Sequence, residues 1–215
     1  MASTIENTGW TIADLMQRFG SMPLARICQS PPPGTATEQD VLDWEARENR
    51  LFELVDTVLL EKTLGFYEAY LASLLATSLT NFVQQNHLGI VTGADGMMRL
   101  APGLVRIPDV AFLSWDRLPN RQVPREPLPD VVPDLAVEIL SASNTQQEME
   151  QKLKDYFATG VRLVWYIDPS TQRVSVYSGV DAEQVFTAPQ TIDGGDVLPG
   201  FALSLADFFR EPQQK

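Results

Sequence analysis

Apolar positions recur with a helical period over the middle of the chain. Between Gly65 and about Asn86, apolar side chains return at steps of three and four, with further apolar residues between them. This spacing predicts one long and largely buried helix. His87, the only histidine of the sequence, follows its end and is interpreted as part of the helix terminus. The positions that define the stripe are Tyr67, Leu71, Leu74, Leu75 and Phe82.

Two shorter helices are predicted near the N-terminus. The first begins at Thr11, with Asp14 in the spacing of a capping box, and the second follows Thr37 and continues to about residue 50. A stretch rich in proline, glycine and threonine separates the two. We therefore expect residues 1–50 to form a helical appendage to a main domain of residues 51–215.

Strand-forming segments begin directly after this appendage. Residues 51–61 have the pattern of a bent pair of strands with its turn near Asp56 and Thr57. Residues 104–115 are also rich in strand formers, but Pro108 cannot donate to a sheet. We expect the proline to divide this segment into two short pieces.

A strand, a helix and a second strand follow one another in the clearest unit of the sequence. They cover residues 134–140, about 145–158 and 161–167, and this order predicts a βαβ crossover with parallel strands. Residues 173–178 then alternate with a period of two, as expected of an antiparallel neighbour. The predicted fold class is α/β or α+β, with a mixed sheet flanked by helices.

Composition limits the function classes. The 215 residues carry a net charge of −12, which argues against broad, non-specific adhesion to nucleic acid or to an anionic membrane. A nuclease stays compatible because bound cations invert the charge of a carboxylate-lined site. No apolar stretch approaches the roughly 20 residues of a membrane span, and the N-terminus MASTIENTGW lacks the features of a secretory signal. We expect a cytoplasmic protein without a membrane partner, in which Cys28 is a small buried hydrophobe.

One acid interrupts an apolar strand. In VEILSASN, residues 137–144, Glu138 has apolar neighbours on both sides. Because a lone ionised carboxylate is strongly disfavoured inside a covered sheet, Glu138 needs a structural ion pair, a proton or a metal ion. Residue type alone leaves these alternatives open.

Strand geometry excludes one candidate for a second acid beside Glu138 and leaves another possible. Asp134 lies four residues before Glu138, which places it roughly 13 Å away along the strand, too far to share an ion. Asp109 lies in another strand-like segment, and adjacent strands are only about 4.8 Å apart, so the two side chains can meet if they point to one face. Asp130 lies in the proline-rich loop and is interpreted as a turn residue.

The helix after Glu138 offers two lysines. On a helical wheel, Lys152 and Lys154 lie on opposite flanks of the buried stripe, and the wheel does not choose between them. Each follows a glutamate by four residues, Glu148 and Glu150, so two surface ion pairs are the alternative.

These motifs carry a family resemblance that spans roughly residues 50–210. IPDVAFLSW, PDLAVEILSASN, EMEQKLKDY and GVRLVWYIDP resemble the Uma family of restriction-endonuclease-like proteins, within the PD-(D/E)XK nuclease superfamily. That superfamily presents an Asp from a PD dipeptide, an acid, and a Lys two residues later. Here Asp109 and Glu138 match the acids, whereas position 140 is Leu140. Family members place this lysine on the following helix, where Lys152 matches and Lys154 does not.

The resemblance implies a restriction-endonuclease-like fold and a catalytic site. Asp109 and Glu138 would bind Mg²⁺ or Mn²⁺, and Lys152 would assist. The family's early segment matches Glu53 and Glu68, so Glu68, on the first long helix, is implied as a further site residue. The implied function is a Mg²⁺-dependent endonuclease that hydrolyses DNA, acting as a homodimer.

Two other functions are compatible with the same residues. One is a binding or regulatory protein that keeps the nuclease fold without activity, which the acidic net charge favours. The other is a metal-dependent hydrolase of small phosphate-containing substrates.

Overall fold

The helix starts predicted at Thr11 and Thr37 are confirmed, and Thr145 starts a third helix in the same way. The computed structural model describes residues 9–211. Thr11, Thr37 and Thr145 each cap a helix through the side chain, and each forms a capping box with the third residue of that helix. The long central helix is confirmed, although Leu74 on its predicted buried stripe is 37% exposed. The helices are α1 (Ile12–Phe19), α2 (Glu38–Glu48), α3 (Phe66–Gln85), α4 (Gln146–Thr159) and α5 (Leu205–Phe208).

The strands form three sheets. All strands expected from the sequence are present, and five further strands were not predicted: Gly89–Thr92, Met98–Ala101, Glu183–Thr187, Thr191–Gly194 and Leu198–Ser204. Four of these strands have only four or five residues, and the fifth, Leu198–Ser204, contains a proline and a glycine, so each gives a weak pattern in the sequence. The strands are β1 (Phe52–Val55), β2 (Val58–Glu61), β3 (Gly89–Thr92), β4 (Met98–Ala101), β5 (Leu104–Arg106), β6 (Val110–Ser114), β7 (Leu135–Ile139), β8 (Leu163–Asp168), β9 (Arg173–Tyr177), β10 (Glu183–Thr187), β11 (Thr191–Gly194) and β12 (Leu198–Ser204).

The large sheet has the strand order β10-β9-β8-β7-β6-β3. Strands β7 and β8 are parallel and α4 connects them, which confirms the βαβ crossover. Helix α3 packs on one face with Val137 of β7, and α4 packs on the other face with Ala136. Alternation along β7 therefore turns Glu138 toward α4. This mixed sheet between helices confirms the predicted fold class.

The small sheet has the order β2-β1-β5-β4. Its β1–β2 turn places Asp56 and Thr57 at φ 49° and 60°, the left-handed region. After β5, the chain passes through Ile107, Pro108 and Asp109 into β6 of the large sheet. The proline therefore marks the crossing from one sheet to the other.

The N-terminal segment packs against the small sheet. The Cys28 amide donates to the carbonyl of Leu59 on β2 at 3.0 Å, and Ile27 bridges Leu60. Cys28 is buried, as expected. The division of the chain at residue 50 stays a prediction. Among the helices of residues 9–211, none is both long and apolar enough to cross a membrane.

Candidate active site

Strand pairing brings Asp109 and Glu138 together. Strands β6 and β7 are antiparallel, with Val110 opposite Val137, so the next positions along the register are Asp109 and Glu138. The Asp109 amide donates to the Val137 carbonyl at 3.0 Å, which continues the ladder by one bond. Both acids are buried.

The two carboxylate oxygens of Asp109 have different environments. Oδ2 accepts a hydrogen bond from the backbone amide of Ile139 at 2.6 Å. Oδ1 lies 2.8 Å from Nζ of Lys62, close enough for an ion pair. Among the described residues, no donor has the geometry of a hydrogen bond to Oδ1. One oxygen is therefore fixed by the backbone, and the other faces a movable side chain.

Glu138 divides its oxygens in the same way. Oε1 accepts a short hydrogen bond from the hydroxyl of Tyr156 on α4. Oε2 lies 3.0 Å from Nζ of Lys152 and 3.5 Å from Nζ of Lys62. The charge in the apolar strand is thus compensated by ion pairs with lysines from two different elements.

Lys152 points inward from α4 between two glutamates. Its ammonium lies 3.0 Å from Oε2 of Glu138 and 3.0 Å from Oε1 of Glu53, and the residue is 3% exposed. The alternative of a surface pair with Glu148 is wrong, because Glu148 pairs with Arg26 at 2.7 Å. Lys152 lies on the face of α4 that packs against the sheet, so its side chain does not reach solvent.

Lys62 follows β2 and reaches the acids from the small sheet. Its Nζ donates to the carbonyl of Ile107 at 2.7 Å, in addition to its contacts with Asp109 and Glu138. Burial by itself would lower the pKa of Lys62, but the charges of Glu138 and Asp109 outweigh burial and raise that pKa above its ordinary value. Lys62 is therefore a protonated cation surrounded by three oxygens.

Arg106 on β5 compensates the charge of Glu53. Its guanidinium donates to Oε2 of Glu53 at 2.7 Å and also to the carboxylate of Asp155 on α4. The Ile107 amide donates to the other Glu53 oxygen at 3.0 Å. We name the whole group the buried cluster: Glu53, Lys62, Arg106, Asp109, Glu138, Lys152 and Asp155.

The protonation states of this cluster follow from burial and from opposite charges. Burial alone would raise the pKa of Glu53, but the charges of Lys152 and Arg106 outweigh it and hold that pKa well below its ordinary value. For Tyr156, burial and the charge of Glu138 both raise the pKa well above its ordinary value. At neutral pH Glu53 is ionised, and Tyr156 keeps the proton that it donates to Glu138.

A cation fits between the two strand acids. Across the part of the chain that the structure describes, no three side chains of His, Cys, Asp or Glu are grouped to hold a metal ion. Three oxygens nevertheless surround the ammonium of Lys62: one carboxylate oxygen of Asp109, one of Glu138 and the Ile107 carbonyl. Carboxylate and carbonyl oxygens are the donors that Mg²⁺ and Mn²⁺ prefer. The donor set therefore fits such an ion at the position that Lys62 occupies.

The other residues considered from the sequence lie outside this group. The carboxylate of Glu68 turns back toward Gly65 at the start of α3, and none of the ion pairs within residues 9–211 joins it to the buried cluster. Its place in the site stays a prediction. Asp134 pairs with Arg117 at 3.1 Å, which agrees with its rejection as a partner of Glu138. Lys154 is exposed.

Sequence reasoning missed Lys62, Arg106 and Tyr156. Lys62 and Glu138 are 76 positions apart, and only the packing of the end of β2 beside Asp109 and β7 brings them together. One signal was available, since the sequence has only four lysines, Lys62, Lys152, Lys154 and Lys215, against twelve arginines. Arginine is three times as common as lysine in this chain, yet two of the four lysines, Lys62 and Lys152, lie beside Glu138.

Comparisons with known proteins agree with this fold. The family model Uma2, described as "Putative restriction endonuclease", matches residues 38–206. A search of curated proteins gives no match. Among solved structures, the chain is similar to "a putative nuclease belonging to DUF820" from Anabaena variabilis ATCC 29413. The TM-score is 0.66 at 20% identity, and the match covers 74% of this chain and 89% of that chain, which shows a shared fold.

Proposed function

Because the chain belongs to the Uma2 family, matched over residues 38–206, we propose that it is a metal-dependent endonuclease that cuts DNA. The observation that carries the proposal is the convergence of Asp109 and Glu138 on one cation. Each acid comes from its own strand, each has one oxygen fixed by the protein, and each directs the other oxygen at Lys62 Nζ.

Asp109 and Glu138 would hold Mg²⁺ or Mn²⁺ through the oxygens that face Lys62. When bound, the ion lowers the pKa of a water molecule and stabilises negative charge on the phosphate. The backbone amide of Ile139 and the hydroxyl of Tyr156 keep the two carboxylates oriented, so little reorganisation is needed at the moment of reaction.

Lys152 would act beside the same carboxylate oxygen of Glu138 that Lys62 approaches. Its ammonium lies 3.0 Å from Glu138, so it can donate a hydrogen bond to a water or phosphate oxygen beside that carboxylate. Glu53 holds the other side of the ammonium at 3.0 Å and keeps it directed at the site. Lys152 would thereby supply from α4 the positive charge that the superfamily places two residues after the acid, where this chain has Leu140.

A cleavage assay tests the proposal. Supercoiled plasmid and a single-stranded oligonucleotide are incubated with Mg²⁺ or Mn²⁺ and either the wild type, Asp109→Asn or Glu138→Gln. We expect each variant to lose roughly 100- to 1,000-fold or more of the cleavage rate. Asp130→Asn is the matched control, because Asp130 is exposed and pairs with Arg99 instead.

The alternatives predict different products. A wild type that cuts no nucleic acid with either metal, or strand-acid variants that cut as well as the wild type, would reject the endonuclease proposal. The ion pairs that already compensate Asp109 and Glu138 favour the second candidate, a nuclease-fold protein that binds without cutting. Binding of DNA that survives Asp109→Asn unchanged, without cleavage, would support that candidate. Hydrolysis of mononucleotides alone would indicate a small-molecule phosphate hydrolase.

A further inference from the structure

Lys62 and Lys152 both contact Glu138, but only Lys62 is placed where it can leave. Its side chain is 10% exposed, against 3% for Lys152, which makes Lys62 the more accessible of the two. It follows the last residue of β2 and precedes the loop that leads to α3. Lys152 lies within α4 and is enclosed by two glutamates.

The backbone of Lys62 is fixed while its side chain depends on ion pairs. The Lys62 amide donates to the Leu51 carbonyl at 2.8 Å, which anchors the main chain. The ammonium is carried on a flexible stem of four carbons, so it can rotate toward solvent without displacing the sheet. Arginine, with its rigid and planar head, would move less readily.

We propose that Lys62 is a built-in substitute for the metal ion: its ammonium occupies the cation position between Asp109, Glu138 and the Ile107 carbonyl, and it swings out when the metal binds. This inference rests on the proposed function, because it concerns the same two acids. It assigns Lys62 a role different from that of Lys152. Lys62 keeps the metal-free carboxylates compensated and competes with the ion, whereas Lys152 stays in place.

Competition has a measurable consequence for metal affinity. Removing the ammonium in Lys62→Met leaves the oxygens of Asp109 and Glu138 without that counter-charge, so a metal no longer has to displace a bound cation. We expect Mn²⁺, measured by titration calorimetry, to bind Lys62→Met on the order of tenfold more tightly than the wild type. Lys62→Arg keeps a positive charge at this position and should bind no more tightly than the wild type.

Thermal unfolding separates competition from a purely structural role. Without metal, Lys62→Met and Lys152→Met should both melt below the wild type, because each removes one cation from among the buried carboxylates. Saturating Mn²⁺ should restore the melting temperature of Lys62→Met, because the ion replaces the missing charge, and should restore that of Lys152→Met much less. Lys154→Met is the matched control on the exposed side of α4.

Trace acetylation of the wild-type chain tests the movement itself and needs no variant that folds. With only four lysines, Lys62, Lys152, Lys154 and Lys215, mass spectrometry resolves each site. We expect saturating Mg²⁺ to raise the acetylation rate of Lys62 on the order of tenfold, as its ammonium leaves the protected position. The rates at Lys152 and Lys154 should not change.

The outcomes separate this inference from the proposed function. If calorimetry shows that the wild type binds metal and Lys62 stays protected from acetylation, Lys62 does not leave and the inference is overturned while the nuclease proposal stands. Equal Mn²⁺ affinity in the wild type and Lys62→Met has the same meaning. If neither binds Mn²⁺ or Mg²⁺, the metal site of the proposed function is wrong, and the inference fails with it.

Discussion

The small sheet and the large sheet each bury a glutamate against Lys152, and they use the two carboxylates differently. Glu53 on β1 has partners that cannot easily move: the Arg106 guanidinium at 2.7 Å and the Ile107 amide at 3.0 Å. Glu138 on β7 has one oxygen fixed by a tyrosine hydroxyl and one that meets only lysine ammoniums. Burial is similar in both, so the nature of the partner distinguishes them.

This difference indicates which carboxylate can exchange its partners. An arginine that bridges two acids is held by several hydrogen bonds, and breaking them exposes buried charge. A lysine contributes a single compact charge on a flexible stem. We therefore interpret Glu53 as a residue that stabilises the fold and positions Lys152, and Glu138 with Asp109 as the pair that can accept a metal ion.

The largest loss in the free energy of unfolding is expected from removing the Arg106 guanidinium. Arg106→Leu leaves both Glu53 and Asp155 facing a buried position without that cation. We expect a loss of about 3–5 kcal/mol in the free energy of unfolding, measured by urea denaturation. Arg47→Leu, which removes an exposed pair with Asp43, should cost no more than about 0.5 kcal/mol.

A double variant distinguishes a structural Glu53 from a functional one. Replacing Glu53 together with Arg106 by leucine removes a charge and its counter-charge, so it should cost less than Arg106→Leu alone. Lys152 would still have Glu138 as a partner. If the double variant is the less stable of the two, Glu53 does more than compensate Arg106, and the contrast between the two sheets fails.

The strand half of the site could be predicted from the sequence because its geometry is local. The rise of about 3.3 Å per strand residue was enough to reject Asp134, and the spacing of about 4.8 Å between adjacent strands left Asp109 possible until the family resemblance matched it. Lys152 needed more, because a helical wheel gives two flanks without saying which one meets a neighbour. The resemblance chose Lys152, and the structure buries it beside Glu138.

The small-sheet half could not be predicted because it depends on how separate units pack. Lys62 meets the Ile107 carbonyl 45 positions later in the chain, and Arg106 meets Asp155 after 49. No periodicity spans such distances. The alternative of a surface pair between Glu148 and Lys152 was wrong for the same reason, since the partner of Glu148 is Arg26, which lies 122 positions earlier.

A smaller loss of stability is expected from the ion pair that joins α4 to the edge of the small sheet. Arg26 donates to both oxygens of Glu148 on α4, at 3.0 and 2.7 Å, and to the carbonyl of Glu61 at the end of β2, at 3.3 Å. Glu148→Gln removes the charge but keeps one acceptor. We therefore expect a loss of about 2–3 kcal/mol near neutral pH, less than for Arg106→Leu.

The pH dependence of the Glu148 pair has a definite sign. Burial would raise the pKa of Glu148, but the hydrogen bonds from Arg26 and the charges of Lys152 and Arg26 together outweigh it and lower that pKa below its ordinary value of 4.5. A lowered pKa in the folded state stabilises the protein above pH 4.5, and this contribution is lost as the pH falls through the lower folded value. The stability difference between the wild type and Glu148→Gln should therefore shrink in acid. Glu150→Gln, exposed on the same helix, should show no such change.

The smallest effect is expected where Glu138 depends on a single hydroxyl. Tyr156→Phe removes the donor that fixes Oε1 of Glu138 and leaves Lys152 beside Oε2. The ring still fills its buried space, so the free energy of unfolding should fall by only about 1–1.5 kcal/mol. The loss of cleavage rate, expressed as a free energy, should exceed this loss of stability. The reason is that a carboxylate that can rotate no longer presents a fixed oxygen to the ion. Equal cleavage by wild type and Tyr156→Phe would show that Glu138 needs no fixed oxygen, and its contrast with Glu53 would then rest on the lysines alone.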